Sequence, residues 1–410
     1  MGLRSVGAAI RSGHWPTLVG AWLHLTVSFM VWVLFGALIV AIGEEFRLSP
    51  AQQSFLVAVP LLTGAAFRIL AGWACDWWGA KRTGLVVLGL QVIAVFWAAA
   101  GARSYLEVLA VGALLGMGGA SFAIAMPVAS RAYPAAHQGL ALGLVASGNV
   151  GTVLVLALAP RWETTLGWHA VCGLMAIPVG LSFAIFAWTV RDERPHRGAV
   201  SGAAWWHALA AMAGRRRVYW VAGVYGITFG GFVGLASFLP LLLHETHGTS
   251  LVIAGSIAAA CSLVGSAIRP AGGYLADRWG GLRMLFLVLL AISVAVIVAG
   301  QPLPLEWAAG AFVVTVGLMG LGNGVVFQIV AEWFPEDIGL ASGLVGAAGS
   351  LGGFLLPIWF SGLRQMTGGY WPGFVVLAIL SAAVAFTVGV LERRRPVMVP
   401  EPGKVSGFSG

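Results

Sequence analysis

The chain has 410 residues, of which 59% are hydrophobic and 9% are charged. A soluble domain is about one quarter charged, so this composition excludes an ordinary soluble protein. The formal net charge of +8 would suit nucleic acid, but the positions of the basic residues, given below, argue against such a partner. Cys75, Cys172 and Cys261 are unclustered, and the chain has no metal-ligand spacing, nucleophile elbow or phosphate-binding glycine loop. We therefore expect no enzyme activity, metal or cofactor.

Twelve apolar runs, each long enough to cross a bilayer, follow one another along the chain. They predict an all-α membrane protein with twelve transmembrane helices in two six-helix halves. We expect the halves at residues 1–190 and 218–395, a cytoplasmic linker at 191–217 and a flexible C-terminal tail at 396–410. The predicted spans are Thr17–Ile42, Ser49–Ala74, Thr83–Ala100, Leu106–Tyr133, Gln138–Ala159, Trp168–Val190, Val218–Leu243, Ser250–Ala276, Leu282–Gly300, Leu305–Ala331, Ile338–Leu363 and Tyr370–Leu391.

The basic residues are distributed unevenly between the two sides of these spans. Of 23 lysines and arginines, 17 fall on the side that holds both termini and the middle linker, 4 fall on the other side, and 2 lie inside spans. Such an excess marks the cytoplasmic side of a membrane protein. Both termini are therefore expected in the cytoplasm, and the charge reflects topology and not nucleic-acid binding. The short loops and the Ala-, Gly- and Arg-rich composition suggest a bacterial inner membrane.

The two halves of the chain repeat one another at an offset of 201 residues. The segment "RILAGWACDWWGAKR" begins at Arg68, and "RPAGGYLADRWGGLR" begins at Arg269. A second pair of similar segments begins at Gly116 and Gly320. Duplicated six-helix halves are typical of secondary transporters, which bind their substrate near the midplane of the membrane, between the halves. The sequence therefore predicts a pseudo-symmetric transporter.

Arg68 and Arg269 lie inside predicted spans 2 and 8. Each precedes an aspartate, Asp76 or Asp277, by eight residues, which puts it roughly 12 Å inside the cytoplasmic boundary at 1.5 Å per residue. No Asp or Glu lies in the middle of any predicted span, so neither arginine has a counter-ion at its depth. A buried arginine in a membrane usually faces a cavity or a partner, and its planar fork of N–H donors fits an oxyanion. We therefore predict that a mobile anion neutralises the pair.

Five further residues lie at a similar depth and complete the predicted site. Asn149 and Asn323 can donate hydrogen bonds from spans 5 and 10. Phe122 lies in the middle of span 4, and Tyr225 and Phe229 share one face of span 7 at a spacing of four residues. Together with the arginines, these side chains predict a small slot with hydrogen-bond donors and aromatic walls.

Two kinds of motif resemble known transporters. The pattern G-x-x-x-D-x-x-G after spans 2 and 8 resembles the cytoplasmic loop motif of the major facilitator superfamily. The runs "GMGGASFAIAMPVASRAYPAAHQGLALGLVASGNVG" and "GLGNGVVFQIVAEWFPEDIGLASGLVGAAGSLGGFLLP" look like the two glycine-rich signatures of the nitrate/nitrite porter family within that superfamily. The resemblance covers essentially the whole chain.

The resemblance assigns roles to particular residues. It implies that Arg68 and Arg269 hold the oxygens of nitrate, that Asn149 and Tyr225 donate further hydrogen bonds, and that Phe122 and Phe229 form aromatic walls. Asn323 is expected to share the role of Asn149 in the opposite half. The loop motif implies a cytoplasmic gate, formed by the residues Asp76, Asp277, Arg82 and Arg283.

The implied activity is secondary active transport of nitrate or nitrite by alternating access, in a protein that we expect to be monomeric. Two facing cations should resist closure of the empty carrier, which predicts nitrate/nitrite exchange. The offset of 201 relates Tyr225 to His24, whose imidazole titrates near neutral pH and would permit nitrate–proton symport. Two alternatives are an exchanger of small organic anions such as formate or oxalate, and a membrane nitrate sensor without transport.

Overall fold

The computed structural model describes residues 12–134, 138–191, 202–334 and 338–393, and the regular structure in these ranges is helical. It confirms the predicted all-α fold with twelve long apolar helices in two pseudo-symmetric halves. Several spans extend beyond the predicted ends, because a helix continues into polar residues that a hydropathy pattern excludes. The spans, numbered 1–12, are Trp15–Glu45, Pro50–Trp78, Ala80–Ala99, Tyr105–Arg131, Ala141–Leu166, Trp168–Thr189, Arg216–His247, Leu251–Ala276, Gly281–Ala299, Leu305–Val330, Leu340–Thr367 and Trp371–Arg393.

Several spans are interrupted helices, which the sequence patterns did not reveal. Span 4 contains a 3-10 segment at Gly116–Ala120, and span 5 contains another at Ser147–Asn149. Span 7 passes through a π-helical segment at Gly226–Gly230, between the helices Arg216–Tyr225 and Gly231–His247. Such irregular turns often mark functional positions. Three of the predicted site residues, Asn149, Tyr225 and Phe229, lie in or beside these segments.

The repeated loop motif has a structural cause at its second glycine. Gly79 ends span 2 with φ 93°, and Gly280 follows the helix Arg269–Trp279 of span 8 with φ 90°. Side chains clash with the backbone in this region of φ, so glycine is the residue that permits the tight turn into the next span. The second glycine of the motif is therefore required by the backbone, independently of any gating role.

Glycines also set the contact between spans 8 and 10. A Cβ atom at Gly320 would overlap the carbonyl oxygen of Gly265, and one at Gly324 would overlap that of Arg269. Small residues let membrane helices approach until their backbones touch. The close crossing fixes the backbone of Arg269 against span 10.

Three pairs of spans make close backbone or hydrogen-bond contacts between the two halves. Spans 1 and 7 meet at Gly36, where a Cβ would lie 2.6 Å from the carbonyl oxygen of Ser237. These two residues are themselves 201 positions apart, so the contact lies on the axis of the internal repeat. Spans 5 and 8 meet at Leu156 and Gly255, and spans 2 and 11 are joined by a hydrogen bond from Arg68 to Gly346.

Each half has an acidic cluster at the end of its first span. Glu45 accepts a 2.6 Å hydrogen bond from Trp168 Nε1 and lies 3.1 Å from His169 Nε2. In the second half, Glu245 is paired with Arg364 and accepts a hydrogen bond from Tyr370. Burial and this carboxylate raise the pKa of Tyr370, which therefore stays a donor. Both clusters tie the end of the half's first span to the start of its sixth, and the second cluster also includes Arg364 of span 11.

The middle linker and the tail are described only in part. Residues 192–201 and 394–410 lie outside the described residues. The predicted tail at 396–410 is therefore not described. A helix, Gly202–Ala213, occupies the second part of the linker. The domain boundaries at 190 and 218 stay a prediction.

Candidate anion-binding site

Arg68 is buried in span 2, with 4% of its surface exposed, and uses its donors on backbone oxygens of two other spans. Nε and Nη2 donate to the carbonyl of Gly119 in span 4, at 3.1 and 2.8 Å, and Nη1 donates to the carbonyl of Gly346 in span 11, at 2.7 Å. The Gly346 bond crosses between the halves. Carbonyl dipoles stabilise the guanidinium but do not cancel its charge, since among the described residues no carboxylate forms a salt bridge with it.

Arg269 has a different environment at the equivalent place in the second half. It is the first residue of the helix Arg269–Trp279, at the break in span 8. Its Cζ lies 4.6 Å from the ring centre of Phe232 and 5.8 Å from that of Phe229. Nε and Nη2 are buried, and neither has a hydrogen-bond partner among the described residues. Arg269 therefore packs against aromatic faces, and two of its nitrogens have N–H donors without a hydrogen-bond partner in the described ranges.

The ring of Phe229 brings the two arginines together. Its centre lies 5.6 Å from Cζ of Arg68 and 5.8 Å from Cζ of Arg269. Phe122 approaches Arg68 from span 4, at 5.9 Å. Because an aromatic face attracts a cation, these rings partly offset the cost of burying two positive charges. The predicted arginines thus meet at one aromatic cluster between the halves.

Tyr225 extends this cluster along span 7. Its ring stacks on Phe229 with centres 5.0 Å apart and planes 1° apart, and it meets Phe327 edge-on at 5.3 Å. Phe327 in turn stacks on Phe122 at 6.3 Å, across the two halves. A Cβ at Gly349 would lie 2.5 Å from the Tyr225 ring, so this glycine of the second signature leaves room for the tyrosine.

The two predicted asparagines are buried in spans 5 and 10. Asn149 ends the 3-10 segment of span 5, and its neighbour Gly148 packs against Leu25 and Thr26 of span 1. Asn323 is 1% exposed, and neither Nδ2 nor Oδ1 has a partner among the described residues. Asn323 is thus a buried amide with its full hydrogen-bonding capacity unused.

His24 lies inside the first half, and its recorded contacts are not with the aromatic cluster. Its Nε2 is 3.2 Å from the carbonyl oxygen of Gly84 in span 3, and its ring centre is 4.7 Å from that of Phe186 in span 6. The repeat places His24 at the position of Tyr225, but span 1 presents it to spans 3 and 6. This environment is that of a packed histidine.

The predicted gate residues lie at the ends of spans. Asp76, Arg82 and Arg283 are exposed, at the end of span 2 and the starts of spans 3 and 9. Asp76 and Arg82 both take part in polar or electrostatic interactions. The side chain of Asp277 lies outside the described residues.

Four participants were missed from the sequence. Phe232 is three residues after Phe229, and Phe327 is four residues after Asn323, so helical spacing from known candidates could have found both. The carbonyl oxygens of Gly119 and Gly346 had no such signal, because every residue carries a carbonyl.

A charged, aromatic-lined site between two six-helix halves is the arrangement of a secondary transporter. The partially occluded, inward-open xylose transporter XylE from Escherichia coli has the same fold, with a TM-score of 0.73 at 16% sequence identity over 94% of this chain and 98% of that chain. Residues 21–330 match the profile of the Major Facilitator Superfamily. The protein is a multi-pass membrane transporter of that superfamily.

Sequence relatives narrow the assignment. The chain is 33% identical to the "Nitrite extrusion protein" of Bacillus subtilis, over 88% of this chain and 90% of the relative. It is 31% identical to the "Probable nitrate/nitrite antiporter NarK1" of Thermus thermophilus, over 89% and 88% of the two chains. Within the superfamily, the chain belongs to the nitrate/nitrite porter family.

Proposed function

We propose that this protein exchanges nitrate and nitrite across a bacterial plasma membrane by alternating access. One observation carries the proposal: two buried guanidinium groups from opposite halves share the ring of Phe229. Among the described residues, no carboxylate pairs with either of them. Two positive charges without a counter-ion inside a membrane are costly, and a transported anion supplies the missing negative charge.

The shape of the site favours a small planar oxyanion. Two nitrogens of Arg269, Nε and Nη2, have no hydrogen-bond partner in the described part of the chain, and a guanidinium fork matches the spacing of two oxygens on one trigonal atom. The surrounding rings exclude water, which strengthens each charge-assisted hydrogen bond. Asn149 and Tyr225 are further donors in this proposal, and Phe122 and Phe229 bound the ion on the aromatic side.

Exchange follows from the charge of the site. Without an anion, closure brings two cations together in a medium of low dielectric constant, so the empty carrier resists the transition. With an anion, the repulsion is relieved and the carrier returns only when loaded. The names of the Bacillus relative, an extrusion protein, and of the Thermus relative, an antiporter, support outward movement of nitrite. The termini face the cytoplasm in this proposal, and the monomer is the working unit.

The test is uptake of labelled nitrate into proteoliposomes that contain nitrite, with Arg68→Lys and Arg269→Lys beside the wild-type protein. Lysine keeps the charge but loses the planar fork, so we expect uptake at low nitrate to fall roughly 10- to 100-fold in each variant, as for a lost charge-assisted hydrogen bond. Arg103→Lys, at an exposed arginine between spans 3 and 4, is the matched control and should transport normally.

Three outcomes would contradict the proposal. Uptake in Arg68→Lys and Arg269→Lys equal to that of Arg103→Lys would remove the arginines from the site. Competition by formate or oxalate that is stronger than competition by unlabelled nitrate would replace nitrate by a carboxylate as substrate. Specific binding without any counterflow would make the protein a sensor.

A further inference from the structure

The two arginines of the site differ in what their donors do. Arg68 directs three N–H groups at the carbonyls of Gly119 and Gly346. In Arg269, Nε and Nη2 are buried and without a partner among the described residues. A buried charged donor without a hydrogen-bond partner destabilises the protein. Unpaired donors at a binding site therefore point to a ligand that accepts their hydrogen bonds. The second half of the molecule therefore carries most of the unused binding capacity.

Asn323 is a second group with unused hydrogen-bonding capacity, and its backbone lies close to that of Arg269. The glycine that follows it, Gly324, lies so close to span 8 that a Cβ there would overlap the carbonyl oxygen of Arg269. The glycine that precedes it, Gly322, lies against Thr228 of span 7. Asn323 thus lies where spans 7, 8 and 10 meet, on the turn of span 10 that touches Arg269.

The internal repeat points to the same contact. The second pair of similar segments, which begins at Gly116 and Gly320, aligns Gly119 with Asn323. In the first half, the carbonyl of Gly119 accepts hydrogen bonds from Nε and Nη2 of Arg68. In the second half, the aligned position carries an amide, and Nε and Nη2 of Arg269 have no partner among the described residues. The pseudo-symmetric site is therefore chemically asymmetric.

We propose that Asn323 is the residue that selects nitrate over nitrite, an inference that rests on the proposed function. Nδ2 donates a hydrogen bond to an oxygen of the anion that Arg269 holds, and Oδ1 accepts one of the free N–H groups of Arg269. Nitrate has three oxygens and nitrite has two. Once the arginines engage two oxygens, nitrate presents a third oxygen to Asn323, whereas nitrite can offer only an oxygen that an arginine already holds, which accepts a weaker hydrogen bond. The amide therefore contributes to nitrate binding and little to nitrite binding.

The test compares the dissociation constants of nitrate and nitrite for the full-length protein in lipid nanodiscs, measured by calorimetry. Asn323→Leu removes the amide and keeps the volume. We expect nitrate to bind about tenfold more weakly, which corresponds to one hydrogen bond to a charged group, and nitrite to change less than threefold. An equal loss for both anions would overturn the proposal, because a structural role for Asn323 does not distinguish them.

Gln91→Leu is the matched control. Gln91 is also a fully buried amide in a span, but its Nε2 donates to Ser28 of span 1, within the first half. We expect this variant to keep the wild-type ratio of the two constants. A change in the ratio equal to that of Asn323→Leu would overturn the proposal, since any buried amide would then have the same effect.

Two more variants keep the outcome decisive. Asn323→Ala removes the amide without adding a branched side chain, and it should reproduce the altered ratio if Asn323→Leu does not fold. Asn323→Asp places a carboxylate beside Arg269 and should abolish binding of both anions, whereas wild-type affinity in that variant would contradict the placement. Failure of the wild-type protein to bind either anion would refute the proposed function itself, while normal binding with an unchanged ratio would refute only the role of Asn323.

Discussion

At the scale of single residues, this protein keeps two arginines inside a membrane by two different means. Arg68 is stabilised by the carbonyls of Gly119 and Gly346, and Arg269 is stabilised by the faces of Phe229 and Phe232. Neither means neutralises the charge, so both arginines still attract an anion. Because the Gly346 bond crosses between the halves, an ion that draws Nη1 of Arg68 away from Gly346 also weakens a link between them.

The first prediction at this scale concerns His24. Its contacts with Gly84 and Phe186 lie within the first half, so we expect His24→Ala to leave the affinity for nitrate and the ion coupling unchanged. The lost packing should lower the free energy of unfolding by about 1–3 kcal/mol. Thermal unfolding together with nitrate uptake checks both parts. Loss of a proton-driven component of uptake would instead assign His24 the role in symport.

At the scale of helices, the close crossing of spans 8 and 10 determines where Arg269 can lie. Backbone contact at Gly320 and Gly324 replaces the side-chain packing that usually separates two helices. Leucine or isoleucine at these positions would hold the helices several ångströms further apart. Arg269 would then leave the reach of Phe229, so the glycine-rich signature supports the site from outside it.

The prediction at this scale compares two glycines of span 10. Gly320→Ala places a methyl group on the carbonyl oxygen of Gly265, and we expect it to lower stability by about 1–3 kcal/mol and to weaken nitrate binding. Gly310→Ala meets no atom within 4 Å and should be neutral or slightly stabilising, because alanine favours a helix. Thermal unfolding of both variants in the same lipid is the measurement. Equal melting temperatures would show that the crossing tolerates extra volume.

At the scale of the whole molecule, the halves meet within the aromatic cluster and also away from it. Gly36 and Ser237 join spans 1 and 7, while Phe122 and Phe327 stack across spans 4 and 10. Alternating access requires these contacts to open in turn as the halves rock. The stacked rings of Phe122 and Phe327 can separate without breaking a salt bridge. Such a contact suits two surfaces that move apart in every transport cycle.

The prediction for the whole molecule concerns coupling. We expect labelled nitrate to enter vesicles that contain nitrite at least tenfold faster than empty vesicles, because the loaded carrier alone crosses the barrier to closure. An inward proton gradient should not replace internal nitrite. Initial rates of uptake at equal and at acid-outside pH are the measurement. Rapid uptake into empty vesicles that follows the proton gradient would establish symport.

The amino-acid sequence by itself determined the number of spans, the internal repeat and the pair of arginines at equal depth. These properties are local or periodic: hydropathy is read within one window, and Arg68 and Arg269 stand in the same motif at a fixed offset. The assignment of nitrate and nitrite as substrates also came from the sequence, through the resemblance of the glycine-rich segments in spans 4–5 and 10–11 to the signatures of the nitrate/nitrite porter family.

Only the tertiary structure decided which groups surround each arginine and where His24 lies. Arg68 bonds to residues 51 and 278 positions away, through carbonyl groups that every residue carries. The breaks in spans 4, 5 and 7 change which face of a helix each later side chain presents. The repeat therefore predicted equivalent positions for His24 and Tyr225 but not equivalent surroundings, because a side chain's neighbours come from other spans and depend on how the helices pack.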